Sequence, residues 1–120
     1  MTHSGSCHSG SCQCGAVAFE AEVDVSKPIV CNCSRCRRLG SRLAFTTPDK
    51  FRLLKGEEAL TEYTFNTGRI RHQFCAACGI EPFAFGTSPD GRAMVAINVN
   101  CLDDVDPLSL PTHFVDGAAF

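Results

Sequence analysis

The strongest chemical signal in this 120-residue sequence is the spacing of its nine cysteines. Seven of them lie within two or three residues of another cysteine and form three groups: Cys12 and Cys14; Cys31, Cys33 and Cys36; Cys75 and Cys78. On an extended strand, residues i and i+2 project to the same face, so a C-x-C pair directs both sulfurs to one point. A C-x-x-C pair does the same across a tight turn. Gly15 and Gly79 directly follow two of these pairs and suit a turn that needs a positive φ. Closely spaced thiols are poor disulfide partners because short loops remove little chain entropy, so the spacing predicts metal binding.

The number of clustered thiols suggests two kinds of zinc site. Structural zinc is closed by four ligands, whereas catalytic zinc keeps three protein ligands and an open position. Seven thiols divide on this pattern into a closed site of four and an open site of three. The closed site would contain Cys12, Cys14, Cys75 and Cys78, and the open site Cys31, Cys33 and Cys36. Other partitions are compatible with the spacing alone.

Other uses of the clustered cysteines stay open at this point. The metal could be wholly structural, as in an interaction module of the zinc-ribbon type. An iron–sulfur cluster uses the same ligands but usually other spacings. Redox catalysis is disfavoured because no thioredoxin-like βαβ pattern surrounds the pairs. The remaining thiols, Cys7 and Cys101, stand alone.

Composition indicates one small domain and excludes several protein classes. The net charge is −2, and no apolar run approaches the roughly 18 residues that a membrane span requires. A nucleic-acid binder usually shows a basic footprint, which this balance does not support. Because no export signal opens the chain, we expect a cytoplasmic protein, in a compartment where structural disulfides are rare.

Alternating apolar and polar residues predict a mainly β fold with little helix. Strands are predicted over residues 17–23 and 51–54. One hairpin is predicted over residues 62–74 with its turn at 66–68, and another turns at residues 89–91 before a strand whose buried face carries Val95, Ile97, Val99 and Cys101. A single helical turn over residues 34–39 would end at Gly40. Residues 1–9, including Cys7 and His8, are predicted to be a flexible lead-in to a single zinc-binding domain over residues 10–120.

Positive charge is concentrated around the cysteine triple. Ten of the eleven Lys and Arg residues lie between positions 27 and 71, and four of them flank the triple: Arg35, Arg37, Arg38 and Arg42. Three thiolates around one zinc carry a net charge of −1, which nearby guanidinium groups would stabilise. We expect Arg35, Arg37 and Arg38 to bind the carboxylates of an anionic substrate. The alternative is a solvated basic loop that only offsets the charge of the metal site.

The motifs together resemble the glutathione-dependent formaldehyde-activating enzyme family, which includes centromere protein V. The resemblance is carried by Gly10-x-Cys12-x-Cys14-Gly15-x-Val17, Cys31-x-Cys33-x-x-Cys36 and His72-x-Phe74-Cys75-x-x-Cys78-Gly79-Ile80-x-Pro82-Phe83. It extends through Phe51-x-Leu53-x-Lys55-Gly56, Tyr63-x-Phe65-x-Thr67-Gly68 and Asn98-Val99-Asn100-Cys101-Leu102-Asp103, and so covers roughly residues 10–105. Two departures are Asn32, where many members have His, and the additional Cys7-His8 segment.

The resemblance implies a β-tent of two antiparallel sheets with zinc knuckles, and two zinc ions per chain. It assigns structural zinc to Cys12, Cys14, Cys75 and Cys78, and catalytic zinc to Cys31, Cys33 and Cys36. The implied activity is a carbon–sulfur lyase reaction in which glutathione, or another small thiol, adds to formaldehyde or a related small carbonyl compound. The alternative is a zinc-stapled binding module without catalysis.

Such an addition needs a proton for the nascent alkoxide, and His72 or His113 could supply it. His72 shares a predicted strand face with Ile70 and Phe74, which favours a packed core histidine over a catalytic one. Cys101 shares a predicted apolar face with Val95 and Ile97, which favours a small buried hydrophobic residue over a ligand.

Overall fold

The structure is a computed structural model that describes residues 6–64 and 69–117, and in these ranges the chain is mainly β. The strands are β1 (Ser6–Ser11), β2 (Ala18–Val23), β3 (Ile29–Cys31), β4 (Leu43–Thr46), β5 (Phe51–Lys55), β6 (Leu60–Tyr63), β7 (Arg71–Cys75), β8 (Phe83–Thr87), β9 (Ala93–Asn98) and β10 (His113–Val115). The one described α-helix is α1 (Cys36–Leu39), and short 3-10 helices cover Pro48–Lys50, Glu57–Ala59, Val99–Cys101 and Pro107–Ser109. None of the described helices is long and apolar enough to span a membrane.

The smaller sheet has three antiparallel strands in the order β1-β2-β5. Strand β1 pairs with β2 along its full length, from Ser6 opposite Val23 to Ser11 opposite Ala18. Part of the predicted lead-in is therefore an edge strand, and the prediction of a flexible segment is wrong for residues 6–9. Gly10 explains the close packing, because a Cβ at this position would lie 2.7 Å from the Phe19 ring. Residues 1–5 lie outside the described residues.

The larger sheet has seven strands in the order β10-β3-β4-β9-β8-β7-β6. All described pairs in it are antiparallel except β10, which runs parallel to β3 with Val115 opposite Cys31. The predicted architecture of two sheets is confirmed. The parallel pair β3–β10 at the edge of the larger sheet departs from the prediction that both sheets are antiparallel. A parallel pair needs a long connection, which here is the whole chain from β3 to β10.

Aromatic side chains join the two sheets. Phe19 of β2 meets Phe83 of β8 edge-to-face, with ring centroids 5.4 Å apart, and Phe51 of β5 lies 4.7 Å from the same ring. Phe19 and Phe83 are each at most 1 % exposed. Full burial of such a side chain contributes about 1.5–3 kcal/mol relative to exposure, so this cluster is a main source of the packing energy.

The predicted hairpins are present as β6–β7 and β8–β9, and Gly91 has the positive φ (90°) that the second turn needs. The predicted turn at residues 66–68 lies outside the described residues. The predicted polar face of β7 is wrong at Gln73, which is buried and donates a hydrogen bond to Glu62. The last predicted strand ends at Asn98, and the chain continues as a 3-10 helix.

Candidate metal centres

Four cysteines from two distant turns converge into one cluster, called here the four-cysteine cluster: Cys12, Cys14, Cys75 and Cys78. All of their sulfur atoms lie within 4.8 Å of one another. The β1–β2 connection contributes the first pair, and the turn after β7 contributes the second. The Sγ of Cys14 lies 3.7 Å from the Sγ of Cys12 and 3.7 Å from that of Cys75. The cluster therefore joins an edge of the smaller sheet to the larger one.

Both turns of the four-cysteine cluster have the predicted glycine conformation. Gly15 has a φ of 83° and Gly79 a φ of 81°. The Gly79 N–H donates to the Cys75 carbonyl at 2.7 Å, and the Gly15 N–H donates to the Cys12 carbonyl at 3.3 Å. These hydrogen bonds close each turn and place the two sulfurs of each pair together. A side chain with a Cβ would be strained at either position.

The thiol donors fit a tetrahedral metal ion. With metal–sulfur bonds of about 2.3 Å, the edge of a tetrahedral four-sulfur zinc site is about 3.8 Å. The measured separations of 3.7 Å match that edge. Soft thiolate donors in this number suit zinc or iron rather than calcium or magnesium. The cluster could thus hold a metal ion.

Local hydrogen bonds favour the thiolate at two of the four cysteines in this cluster, Cys78 and Cys12. Donation by the backbone N–H groups of Ile80 and Cys14 lowers the pKa of Cys78 to about 6. Burial opposes ionisation of Cys12, but hydrogen bonds from the Val17 N–H, 3.4 Å from its sulfur, and from Cys14 and Cys75 together outweigh burial and lower its pKa. At Cys14 the Ala16 N–H favours the thiolate, yet hydrogen bonds with Cys75 and Cys12 raise its pKa to about 11. Metal binding would therefore release protons from the less acidic thiols.

A second group, called here the three-cysteine cluster, contains Cys31, Cys33 and Cys36. Its sulfur atoms also lie within 4.8 Å of one another. Cys31 ends β3, and Cys36 begins α1, which Gly40 ends with a φ of 67° as predicted. The Cys36 N–H lies 3.3 Å from the sulfur of Cys33, and the Cys33 N–H lies 3.5 Å from that of Cys31. The tight loop thus directs three sulfurs to one point, while all three residues keep partial exposure.

The thiols of this cluster are also unequal. Burial disfavours the Cys33 thiolate, but hydrogen bonds from the Cys36 N–H and side chain, the Arg35 N–H and Cys31 together outweigh burial and lower its pKa. Burial, followed by the hydrogen bond with Cys33 and then repulsion from its charge, raises the pKa of Cys36. Three thiolates this close repel one another, so a divalent cation would stabilise the set. Both clusters can hold a metal ion, and they are the two groups expected from the sequence.

The C-terminal segment covers one side of the three-cysteine cluster. Because β10 pairs with β3, the residues after Val115 lie beside the cysteine loop. Asp116 accepts a hydrogen bond of 2.9 Å from Asn32 Nδ2. A Cβ on Gly117 would collide with the Cys31 sulfur. Access to the cluster is therefore restricted on this side.

An open pocket of about 440 Å³ is formed beside the three-cysteine loop. It is lined by Ser34, Arg35, Arg38, Leu39 and Tyr63. Ser34 and Arg35 lie between Cys33 and Cys36 in the chain, so the pocket adjoins the loop that carries the cluster. The pocket thus brings together two of the three arginines predicted to bind substrate, and Arg37 is not among its lining residues.

Arg35 is held by a buried ionic network. Its Nε and Nη2 donate to Oε1 of Glu81 at 3.0 and 2.6 Å, and the guanidinium carbon lies 4.6 Å from the centre of the Tyr63 ring. The other oxygen of Glu81 lies 2.7 Å from Nδ1 of His72. His72 is 5 % exposed, as a packed core histidine should be.

The remaining candidate residues lie apart from the pocket lining. His113 is exposed on β10, and Arg42 donates to Oδ1 of Asn100 at 3.1 Å. Cys7 is exposed on β1, and His8, predicted to be in a tail, binds the Asp104 carboxylate at 3.0 Å. Cys101 is half-buried, and burial raises its pKa to about 12.

Glu81 and Tyr63 are the residues of this site that sequence reasoning missed. Glu81 follows Cys78 in a loop where an acidic side chain ordinarily faces solvent, yet its side chain is only 7 % exposed. The only feature of the sequence that could have indicated a role for Glu81 is its position as a lone carboxylate between a cysteine pair and a buried apolar strand. Its partners are 46 and 9 residues away in sequence, so local pattern did not reveal them.

Comparison with known proteins agrees with the fold. The sequence model of the family described as glutathione-dependent formaldehyde-activating enzyme matches residues 7–115. The chain belongs to this family. It is also similar to a crystal structure of a Rhodobacter sphaeroides protein, with a TM-score of 0.77 and 33 % sequence identity. That alignment covers 88 % of this chain and 99 % of the other. Membership in the family supports, in broad terms, a role in glutathione-dependent formaldehyde activation.

Proposed function

We propose that this chain is a zinc-dependent carbon–sulfur lyase-type enzyme that adds a thiol such as glutathione to formaldehyde or a related small carbonyl compound. The observation that carries the proposal is the three-cysteine cluster beside a pocket lined by arginines. Three thiol donors leave a fourth coordination position on a tetrahedral ion, which is the pattern of catalytic zinc. The family match supports glutathione and formaldehyde as the substrates.

The two clusters have different roles in this proposal. Cys12, Cys14, Cys75 and Cys78 would hold a structural zinc, since four thiols complete its coordination. Cys31, Cys33 and Cys36 would hold the catalytic zinc, which supplies a Lewis acid able to favour a substrate thiolate or to polarise the aldehyde oxygen. The surrounding residues must then bind the thiol substrate and exclude the solvent.

The residues around the three-cysteine cluster suit binding and positioning of a substrate. The pocket supplies guanidinium donors, which match carboxylates in geometry and charge. The segment at Asp116 and Gly117 lies against Asn32 and Cys31, so we expect a substrate to enter from the pocket instead. The proton donor for the nascent alkoxide stays a prediction: His72 is buried against Glu81, and His113 lies exposed on β10.

Free thiols grouped in this way persist in a reducing compartment, so we place the protein in the cytoplasm.

The test is the rate at which formaldehyde and glutathione exchange with their adduct, measured by NMR exchange spectroscopy against the uncatalysed rate. Zinc content is measured on the same sample, and two zinc ions per chain are expected. We expect Cys33→Ser to return the exchange to the uncatalysed rate and Cys7→Ser to leave it unchanged. Protein that carries two zinc ions and accelerates no exchange would instead indicate a zinc-stapled binding module.

A further inference from the structure

The arginines around the pocket differ in how their charge is used. Glu81 accepts from two N–H groups of Arg35, and its side chain is 7 % exposed while that of Arg35 is 22 % exposed. Because the two opposite charges are close together and largely buried, the pair presents no net charge to a ligand in the pocket. Tyr63 packs on the face of the same guanidinium. Arg35 is therefore held as a wall of the pocket, and its charge is already balanced.

Arg38 has no such counter-charge. It lies on α1, lines the same pocket, and is exposed. Its Nη1 donates to the backbone carbonyl of Ser34 at 2.8 Å, which orients the guanidinium without neutralising it. Within residues 6–64 and 69–117, no carboxylate forms an ion pair with it. A guanidinium has five N–H donors, so most of those of Arg38 stay available to a ligand.

We propose that Arg38, rather than Arg35, binds the anionic group of the thiol substrate, and that the substrate is a thiol with a carboxylate positioned to reach α1 while its sulfur lies at the three-cysteine cluster. This inference rests on the proposed function, because it takes the cluster to be the reacting centre. Such a site selects thiols that are long enough to reach from the three-cysteine cluster to Arg38 on α1. Short uncharged thiols have no group for Arg38 and bind more weakly.

A charge-matched set of variants distinguishes the contributions of Arg35 and Arg38 to ligand binding. The ligands are S-methylglutathione, which cannot react, and its diethyl ester, which lacks both carboxylates. Their binding to the zinc-loaded protein is measured by calorimetry. A partly exposed charge-assisted contact contributes about 1 kcal/mol, so we expect the acid to bind about fivefold more tightly than the ester.

Arg38→Gln should reduce this preference to within about twofold. The double variant Arg35→Gln/Glu81→Gln removes a neutral pair without changing the net charge, and should keep the preference. Arg52→Gln is the control, because Arg52 lies on the smaller sheet and pairs with Glu20 at 3.4 Å. The proposal is overturned if Arg38→Gln keeps the preference, or if the double variant loses it while retaining both zinc ions and the wild-type circular dichroism.

A second measurement, which needs neither the double variant nor glutathione, tests the role of Arg38 if that variant does not fold or if neither ligand binds. Absence of binding to the wild-type protein would count against glutathione and thus against the proposed function. Titration with acetate, followed by NMR at the arginine Nε–H groups, then decides the role of Arg38 alone. We expect the Arg38 signal to move and the Arg35 signal to stay in place. The opposite result refutes the assignment.

Discussion

Replacement of Cys75 by serine should cost far more stability than the same replacement at Cys33. Cys75 ends β7, is fully buried, and belongs to the apolar core, whereas Cys33 is half-buried in a loop. A serine hydroxyl stays protonated near neutral pH and is a poor zinc ligand. Both variants lose one thiol donor, but only Cys75→Ser loosens a cluster that joins the two sheets.

The magnitude follows from the role of the four-cysteine cluster. Closed zinc sites contribute about 10–16 kcal/mol in zinc-finger peptides, and a whole domain is stable by about 5–15 kcal/mol. Loss of about a third of the metal contribution, with a buried hydroxyl that costs about 1 kcal/mol or more, gives at least about 4 kcal/mol. A domain of this size loses roughly 4 °C in Tm per kcal/mol, so the fall should be about 15 °C or more. Cys33→Ser should cost less than about 2 kcal/mol.

The assay is thermal unfolding followed by circular dichroism, with zinc per chain measured on the same samples. Cys33→Ser should retain one zinc ion and a nearly native Tm, whereas Cys75→Ser should be largely unfolded. Cys7→Ser, with an exposed thiol outside both clusters, is the control for the substitution itself. Equal losses of Tm at Cys33 and Cys75 would refute the division into a structural and a catalytic site.

Three further predictions concern packing, acidity and metal release. Gly56→Ala should destabilise the protein more than Gly91→Ala. Both glycines have φ of 90° or above, but of the two only Gly56 lies where a Cβ would meet backbone, 2.7 Å from the Cα of Val17. Chemical denaturation of the two variants measures the difference in their free energies of unfolding. Burial raises the pKa of Cys101 to about 12 from its usual 9.0, so Cys101 should resist iodoacetamide at pH 8 while Cys7 reacts, as peptide mass spectrometry will show. Because the folded state keeps that proton longer than the unfolded state, stability should fall as the pH rises from about 9 towards 12. A mild chelator should remove metal from the three-cysteine cluster while circular dichroism is unchanged; simultaneous loss of signal would contradict the proposed open site.

Local sequence predicted the features that short-range geometry controls. The C-x-C and C-x-x-C spacings predicted metal binding and allowed the division into these two clusters among other partitions, and the glycines after Cys14 and Cys78 predicted their turns. The hairpin at Gly91 and the helix stop at Gly40 depend in the same way on a few neighbouring residues. In each case one backbone conformation, allowed for glycine and strained for other residues, determines the outcome.

The features that sequence did not predict depend on contacts distant in the chain. Strand β1 is rich in Ser and Gly, which have weak β propensity, and it forms because its backbone pairs with β2 and because Gly10 fits above the Phe19 ring. Strand β10 has three residues and finds its partner β3 more than 80 residues earlier. The burial of Glu81 likewise requires Arg35 from a separate loop.

The position of the three-cysteine loop depends on those distant contacts more than on its own secondary structure. Strand β3 has three residues, and α1 has four residues with no buried side chain, so local packing holds the loop weakly. The loop is instead held by Arg35 on Glu81 and by Asn32 on Asp116. Glu81 follows Cys78 closely in the chain, so the four-cysteine cluster fixes the base of the loop from which Glu81 reaches Arg35. The four-cysteine cluster therefore positions the three-cysteine cluster, so the proposed catalytic centre can lie on a segment with almost no core of its own.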